Sequence, residues 1–181
     1  YSEYKNYIHT FDLMLRIVRN DYNFNVGMQV IPQQTKFVQH YQGVNTDTVR
    51  NVTNITPTAD FRWKISKQSQ LRFNYRGRSS QPSMTDLLDI VDDSDPLRIT
   101  RGNPGLKPSF SNNLMLFYNN YIQKHQRSVM ANVFFNTTSN SVSQMVTYDP
   151  TTGGQTSRPE NINGNWNINS GFMFNTALDS L

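Results

Sequence analysis

From Asn161 to Asn175 the chain alternates with a period of two. The odd positions are Asn161, Asn163, Asn165, Asn167, Asn169, Gly171, Met173 and Asn175. The even positions are Ile162, Gly164, Trp166, Ile168, Ser170, Phe172 and Phe174. Only an extended backbone puts residues i and i+2 on one side, so the pattern calls for a strand with an amide face and an apolar face. A strand of about 15 residues is long against the ~5–6 of a globular sheet.

The pattern recurs. Phe11, Leu13, Leu15 and Ile17 alternate with Asp12, Met14, Arg16 and Val18. Tyr22, Phe24, Val26, Met28 and Val30 alternate with Asn23, Asn25, Gly27 and Gln29. Ala59, Phe61, Trp63 and Ile65 alternate with Asp60, Arg62 and Lys64, and Leu71, Phe73 and Tyr75 with Arg72, Asn74 and Arg76. Val129, Ala131, Val133 and Phe135 form another such row, while Asn112–Tyr121 is less regular. The reading gives seven strands over 8–19, 22–31, 56–66, 69–79, 111–121, 126–136 and 161–175. Short links fall at Asn20-Asp21, Lys67-Gln68 and Ile122–His125, and long ones at 32–55, 80–110 and 137–160. Alternating short turns and long loops describe an outer-membrane barrel. The expected fold class is all-β, with antiparallel up-and-down strands forming part of a transmembrane β-barrel. One helical turn fits Asp86–Val91.

Composition narrows the alternatives. Hydrophobic residues are 36% and charged residues 17%. Aromatics at 12% argue against disorder, which usually lacks them. No run reaches the ~18 apolar residues of a spanning helix, but a membrane strand needs only every second residue apolar. The chain has no cysteine, so it has neither disulfides nor thiolate metal sites. The net charge of +4 is spread along the chain rather than gathered in the stripe of a nucleic-acid binder.

The middle of the chain reads Leu71-Arg72-Phe73-Asn74-Tyr75-Arg76-Gly77-Arg78, Gln81-Pro82-Ser83, Asp95-Pro96-Leu97, then Arg101-Gly102-Asn103-Pro104-Gly105-Leu106-Lys107-Pro108. This order resembles the barrel segment of TonB-dependent outer-membrane receptors, in the group with a GNPxLKP loop. Ser80 stands where an Arg often precedes the Gln-Pro-Ser step, and Ser109 where an acid commonly follows. The resemblance implies a barrel of about 22 strands closed by a plug, so residues 1–181 are expected to be a fragment of an outer-membrane β-barrel domain with the plug absent. Tyr1 follows no leader pattern, and the alternation is expected to be cut rather than finished at Leu181. The implied function is uptake of a metal chelate, glycan or peptide in the bacterial outer membrane. The implied partners are outer-membrane lipid, a plug domain of the same parent chain, TonB acting through the missing part, and a surface lipoprotein; nucleic acid is not among them.

Two groups of residues are candidates for the site. Gly102, Asn103, Pro104, Leu106, Lys107 and Pro108 either build a rigid lead into a strand, since proline fixes φ and glycine frees it, or face a ligand. Arg62, Lys64, Arg72 and Arg76 share the polar side of two strands and would look into a barrel lumen, towards a plug or passing anions. Asp86, Asp89, Asp92, Asp93 and Asp95 lack EF-hand spacing and read as a solvated acidic loop. His9, His40 and His125 make no paired-ligand motif, and no Ser lies in Gly-x-Ser-x-Gly. No catalytic residue, metal site or cofactor is expected, and the chain is not read as an enzyme. A soluble antiparallel ligand-binding module and an unplugged porin or adhesin remain open. A sandwich module would show shorter strands.

Overall fold

A computed structural model of the chain describes residues 2–41 and 43–178; Tyr1, Gln42 and 179–181, where the pattern is expected to run on, lie outside the described residues. The chain divides into two compact units, 1–78 with 113–135 and 168–181, and 79–112 with 136–167.

The first unit is built on a large sheet. Its strands are β1 (Ser2–Ile8), β2 (Phe11–Val18), β3 (Tyr22–Tyr41), β4 (Val44–Lys64), β5 (Ser69–Ser80), β8 (Ser109–Ile122), β9 (Arg127–Ser139) and β12 (Asn165–Thr176). Their order is β1-β3-β4-β5-β8-β9-β12, with β2 also on β3. β1 and β2 are one lane of the sheet. Ile8 lies opposite Gln33 and Phe11 opposite Val30, so the register does not change between them. The lapse falls opposite Pro32, whose carbonyl accepts the His9 N–H at 3.0 Å while its own nitrogen has no hydrogen to return. The sheet therefore has the seven lanes that alternation implies, joined as an up-and-down meander. The short links are where expected, the last containing a 3-10 turn at Gln123–His125.

The alternating residues form rows across these lanes. Leu15, Val26, Ala59 and Tyr75 make one row, and Ile17, Phe24, Phe61 and Phe73 the next. The Phe24 and Phe61 rings meet edge to face with centroids 6.2 Å apart. By pleat alternation Asp12, Met14 and Arg16 lie on the other face, with Asn25, Asp60 and Asn74 in the Arg16 row. The apolar face is not covered by protein: Leu13 is 77% and Phe172 73% exposed. From Tyr22 to Val30 it runs roughly 27 Å along the strand, or about 20 Å in height at the usual tilt, against the ~25 Å apolar band of a membrane barrel.

Two expectations are corrected. The segment 32–55 is not a loop. β3 and β4 continue through it as a ladder of twenty pairs without a bulge, from Tyr22–Trp63 to Tyr41–Val44. Its residues are mostly polar on both faces, with Phe37, Val38, Val49 and Val52 in no regular period, so alternation is lost although pairing is not. The strand drawn over 161–175 is two strands. β11 (Gln155–Ile162) pairs with β10 (Ser141–Tyr148), and β12 begins at Asn165 beyond Gly164, whose φ of +96° suits glycine. Ile162 thus does not share a strand with Trp166 and Phe172.

The second unit is the site of the 80–110 and 137–160 connections. A four-stranded sheet orders β10-β11-β7-β6, with β6 at Val91–Asp95 and β7 at Arg98–Arg101. β11 runs parallel to β7 and the other two pairings are antiparallel. The expected helical turn is α1 (Met84–Leu87), slightly earlier than read, with the Ser83 hydroxyl accepting the Asp86 N–H.

An exposed apolar row in mid-band is where a charge costs most. Leu15→Lys is expected to lower folding stability in lipid vesicles by about 2–4 kcal/mol, and Met14→Lys on the opposite face by less than about 1 kcal/mol. Denaturant titration of the full-length protein measures both, and equal costs would contradict the assignment of faces.

Candidate functional site

The Gly102–Pro108 motif sits at the centre of the second unit. A Cβ built on Gly102 would lie 1.7 Å from the Leu88 carbonyl oxygen, so no side chain fits there. The next residue, Asn103, is 5% exposed and every polar group it carries is engaged. Its N–H donates to the Asp86 carbonyl, its Nδ2 donates to the Pro159 carbonyl at 3.0 Å, and its Oδ1 accepts the Arg158 Nη2 at 2.9 Å and the Gly105 N–H at 3.0 Å. Leu106 is buried, and its N–H donates to the Asn103 carbonyl. Lys107 presents its backbone to one amide: its N–H donates to Asn161 Oδ1 at 2.7 Å and its carbonyl accepts from Asn161 Nδ2 at 3.0 Å. Pro104, Lys107 and Pro108 keep exposed side chains.

The motif therefore ties the 80–110 segment to β11. Sequence reading misses Arg158, Pro159 and Asn161, because nothing local marks a partner more than fifty residues away. Asn161 also passes for one more amide in an alternating row.

Asp86, Asp89, Asp92 and Asp95, beside the motif, are each engaged. Asp89 binds Arg101 through two hydrogen bonds, of 2.8 and 3.1 Å. Asp92 and Asp95 accept the backbone N–H groups of Ser94 and Leu97, and Asp86 accepts the Ser83 hydroxyl. No cluster fit to hold a metal occurs among the described residues. A cavity of about 390 Å³ opens beside them, lined by Thr85, Asp86, Asp92, Arg101, Gln144 and Ser157 among others. Its hydroxyl, amide, carboxylate and guanidinium groups can both donate and accept, which suits a polar, hydrogen-bonding ligand.

The basic candidates lie in the first unit. Arg62 is directly opposite Arg72, Lys64 opposite Gln70 and Arg76 opposite Thr58. With Arg16 they outnumber the acids of the same paired rows, Asp12 and Asp60. Like charges directly opposite are unfavourable, and among the described residues no ion pair relieves Arg62 and Arg72. Three atoms on this face, Asn25 Oδ1, Asp60 Oδ1 and Arg72 Nε, are hidden from solvent without a hydrogen-bond partner.

Two measurements test this geometry. Gly102→Ala is expected to destabilise the loop sheet by about 2–3 kcal/mol through overpacking, and Asn103→Ala by about 1–3 kcal/mol through the polar groups it orphans. Limited proteolysis of the full-length protein reads both, and wild-type protection would contradict them. The Arg101 guanidinium holds Asp89 below the usual carboxylate range. A lowered acid stabilises above its unfolded value and loses that effect as pH falls through the lowered one. Protection of the loop sheet should hold from neutral pH down to about 5 and fall below about pH 4. Asp89→Asn should remove the part of the fall due to this pair.

No curated protein matches the chain. Among solved structures, the siderophore receptor PirA from Pseudomonas aeruginosa is similar in fold, with a TM-score of 0.53 at 12% identity over 97% of this chain. The chain spans 40% of that receptor's length. The family model described as the outer membrane protein beta-barrel family matches residues 4–180. The two-faced sheet with its bare apolar side is what such a barrel wall requires, and the chain belongs to the outer membrane protein beta-barrel family.

Proposed function

We propose that the chain is part of the wall of a plugged outer-membrane transporter, energised through TonB, that takes up a nutrient such as a metal chelate, glycan or peptide. One observation carries this reading beyond the family. The polar face is rich in cations, with Arg62 directly opposite Arg72. Like charges directly opposite are unfavourable, and a folded occupant of the lumen bearing acidic side chains would relieve them. Arg62, Lys64, Arg72 and Arg76 then act as the lumen-facing groups that receive acidic side chains of a plug from the same parent chain. Residues 1–181 form one piece of that barrel domain.

In this reading the loop unit is the outer lip. Long connections of such barrels face the cell exterior, and loops carried on a rigid wall are where specificity resides. The Gly102–Pro108 motif holds the lip's shape, and the cavity beside Asp86 and Arg101 meets the nutrient or a surface lipoprotein that delivers it. The bare apolar face meets outer-membrane lipid.

The full-length parent in a planar bilayer is expected to show no steady conductance, and its uptake in cells to stop when a protonophore collapses the proton gradient. A steady open pore would contradict the plugged reading and favour a porin. Deleting Asp86–Asp95 should leave surface expression normal and lower uptake several-fold. Normal uptake with normal expression would remove the lip from the substrate path.

A further inference from the structure

The four-stranded loop sheet has two edges of opposite character. Natural proteins guard an edge strand by shortness, charge or irregularity, and the β6 edge has all three. Its five residues include Asp92, Asp93 and Asp95, and the register shifts between Asp92 and Asp95. The β10 edge has none. Ser141-Val142-Ser143-Gln144-Met145-Val146-Thr147-Tyr148 carries no charge, proline or glycine and pairs with β11 in an unshifted register. No strand lies on its other side among the described residues.

The register shows which backbone groups this edge offers. Gln155 lies opposite Tyr148 and donates its N–H away from β10, to the Leu97 carbonyl at 2.8 Å. Opposed residues of an antiparallel pair either exchange their bonds or both turn away, so Tyr148 turns its N–H and C=O outward. Every second residue does the same: Val146, Gln144 and Val142. The Asp149 N–H, next in line, donates inward to the Gly154 carbonyl, as this phase requires.

The same four residues share one face of the sheet. Pro159 lies opposite Gln144, Ser157 opposite Val146, and Thr100 and Asp92 continue the Ser157 row. The cavity of about 390 Å³ opens on this face: Gln144, Pro159, Ser157, Thr100 and Asp92 line it, together with Asp86 of α1. Gln144 Oε1 accepts the Ser157 hydroxyl at 3.0 Å, and its amide nitrogen has no partner among the described residues. The ion pairs of this unit take up Asp89 and Glu160, and no cation pairs with Asp86 or Asp92 among the described residues.

We propose that β10 is a strand-addition site, where an extended peptide pairs with the open edge and sends a lysine or arginine side chain into the cavity beside Asp86 and Asp92. Main-chain bonds give such a site its affinity, and the pocket for alternate side chains gives it selectivity. A strand bonded to Val142, Gln144, Val146 and Tyr148 places its opposed side chains on the cavity's face. Charge selects this occupant over a second copy of β10, which has no cation to bring. Strand addition stands apart from the transport reading; only the peptide's role as a nutrient rests on it.

The test titrates the full-length protein in detergent with a fluorescent heptapeptide of alternating valine and threonine around a central lysine, read by anisotropy. Val146→Pro removes an outward N–H and no bond to β11. It should weaken binding about tenfold, as for lost backbone hydrogen bonds, while the loop sheet keeps its protection from proteolysis. The same peptide methylated on every backbone nitrogen should bind as weakly to the unaltered protein, which carries the test if the proline variant does not fold. Asp86→Asn with Asp92→Asn should erase the preference for lysine over norleucine at the centre of the peptide. Met145→Ser, on the other face, should leave binding unchanged. Undiminished binding to a folded Val146→Pro protein, equal binding of the methylated peptide, or no lysine preference in the wild type would each overturn the proposal. A dimer that Val146→Pro dissociates would also overturn it, by making a second copy the occupant. Binding without energy-dependent uptake of the peptide would leave the site standing and contradict the nutrient role.

Discussion

In lipid a backbone N–H or C=O has no water to bond, so each must find its partner on a neighbouring strand. The large sheet depends on this constraint. The twenty-pair ladder of β3 on β4 has no bulge, and a constant register is what keeps Phe24, Phe61 and Phe73 on one face and Asn25, Asp60 and Asn74 on the other. A slip of one residue would exchange every side chain between faces. The one lapse in β3's pairing to the first lane falls opposite Pro32, just outside the last apolar row, where water can serve the unpaired groups.

The same constraint explains what the amino-acid sequence reveals. Inside the band each strand must be apolar on one side and is free to be polar on the other, so the seven lanes are legible as alternation, down to their short turns. Beyond the band the demand on side chains ends while the demand on the backbone does not. Gln33, Gln34, Thr35 and Lys36 on β3, and Thr48, Asn51 and Thr53 on β4, carry no period and read as a loop, yet they continue the ladder. At Asn161–Asn169 the opposite error occurs. The amides suggest one unbroken strand, whereas Asn161 bonds Lys107 and Asn140, and Gly164 turns the chain between two sheets.

The loop motif was legible in order but not in geometry. Two prolines and two glycines announce a rigid turn. They do not announce that Asn103 reaches the Pro159 carbonyl or that Arg158 returns to its amide, because these contacts belong to the fold and not to local chemistry. The basic residues show the reverse. Arg62, Lys64, Arg72 and Arg76 are placed on one face by alternation alone, but the opposition of Arg62 to Arg72, and the hidden atoms nearby, emerge only from the register. Those unrelieved charges connect the physical chemistry of the wall to the case for an occupied lumen.

The central claim is that one face of this sheet meets lipid and the other does not. The chain lacks cysteine, so single cysteines placed along β2 and β3 in an otherwise cysteine-free protein can carry an environment-sensitive fluorophore. In vesicles, labels at Leu13, Leu15, Val26 and Met28 are predicted to be quenched by brominated lipid, and labels at Asp12, Met14, Asn25 and Gly27 to be spared. Quenching that follows this period-two order would uphold the account. Uniform quenching on both faces, or none on either, would contradict it.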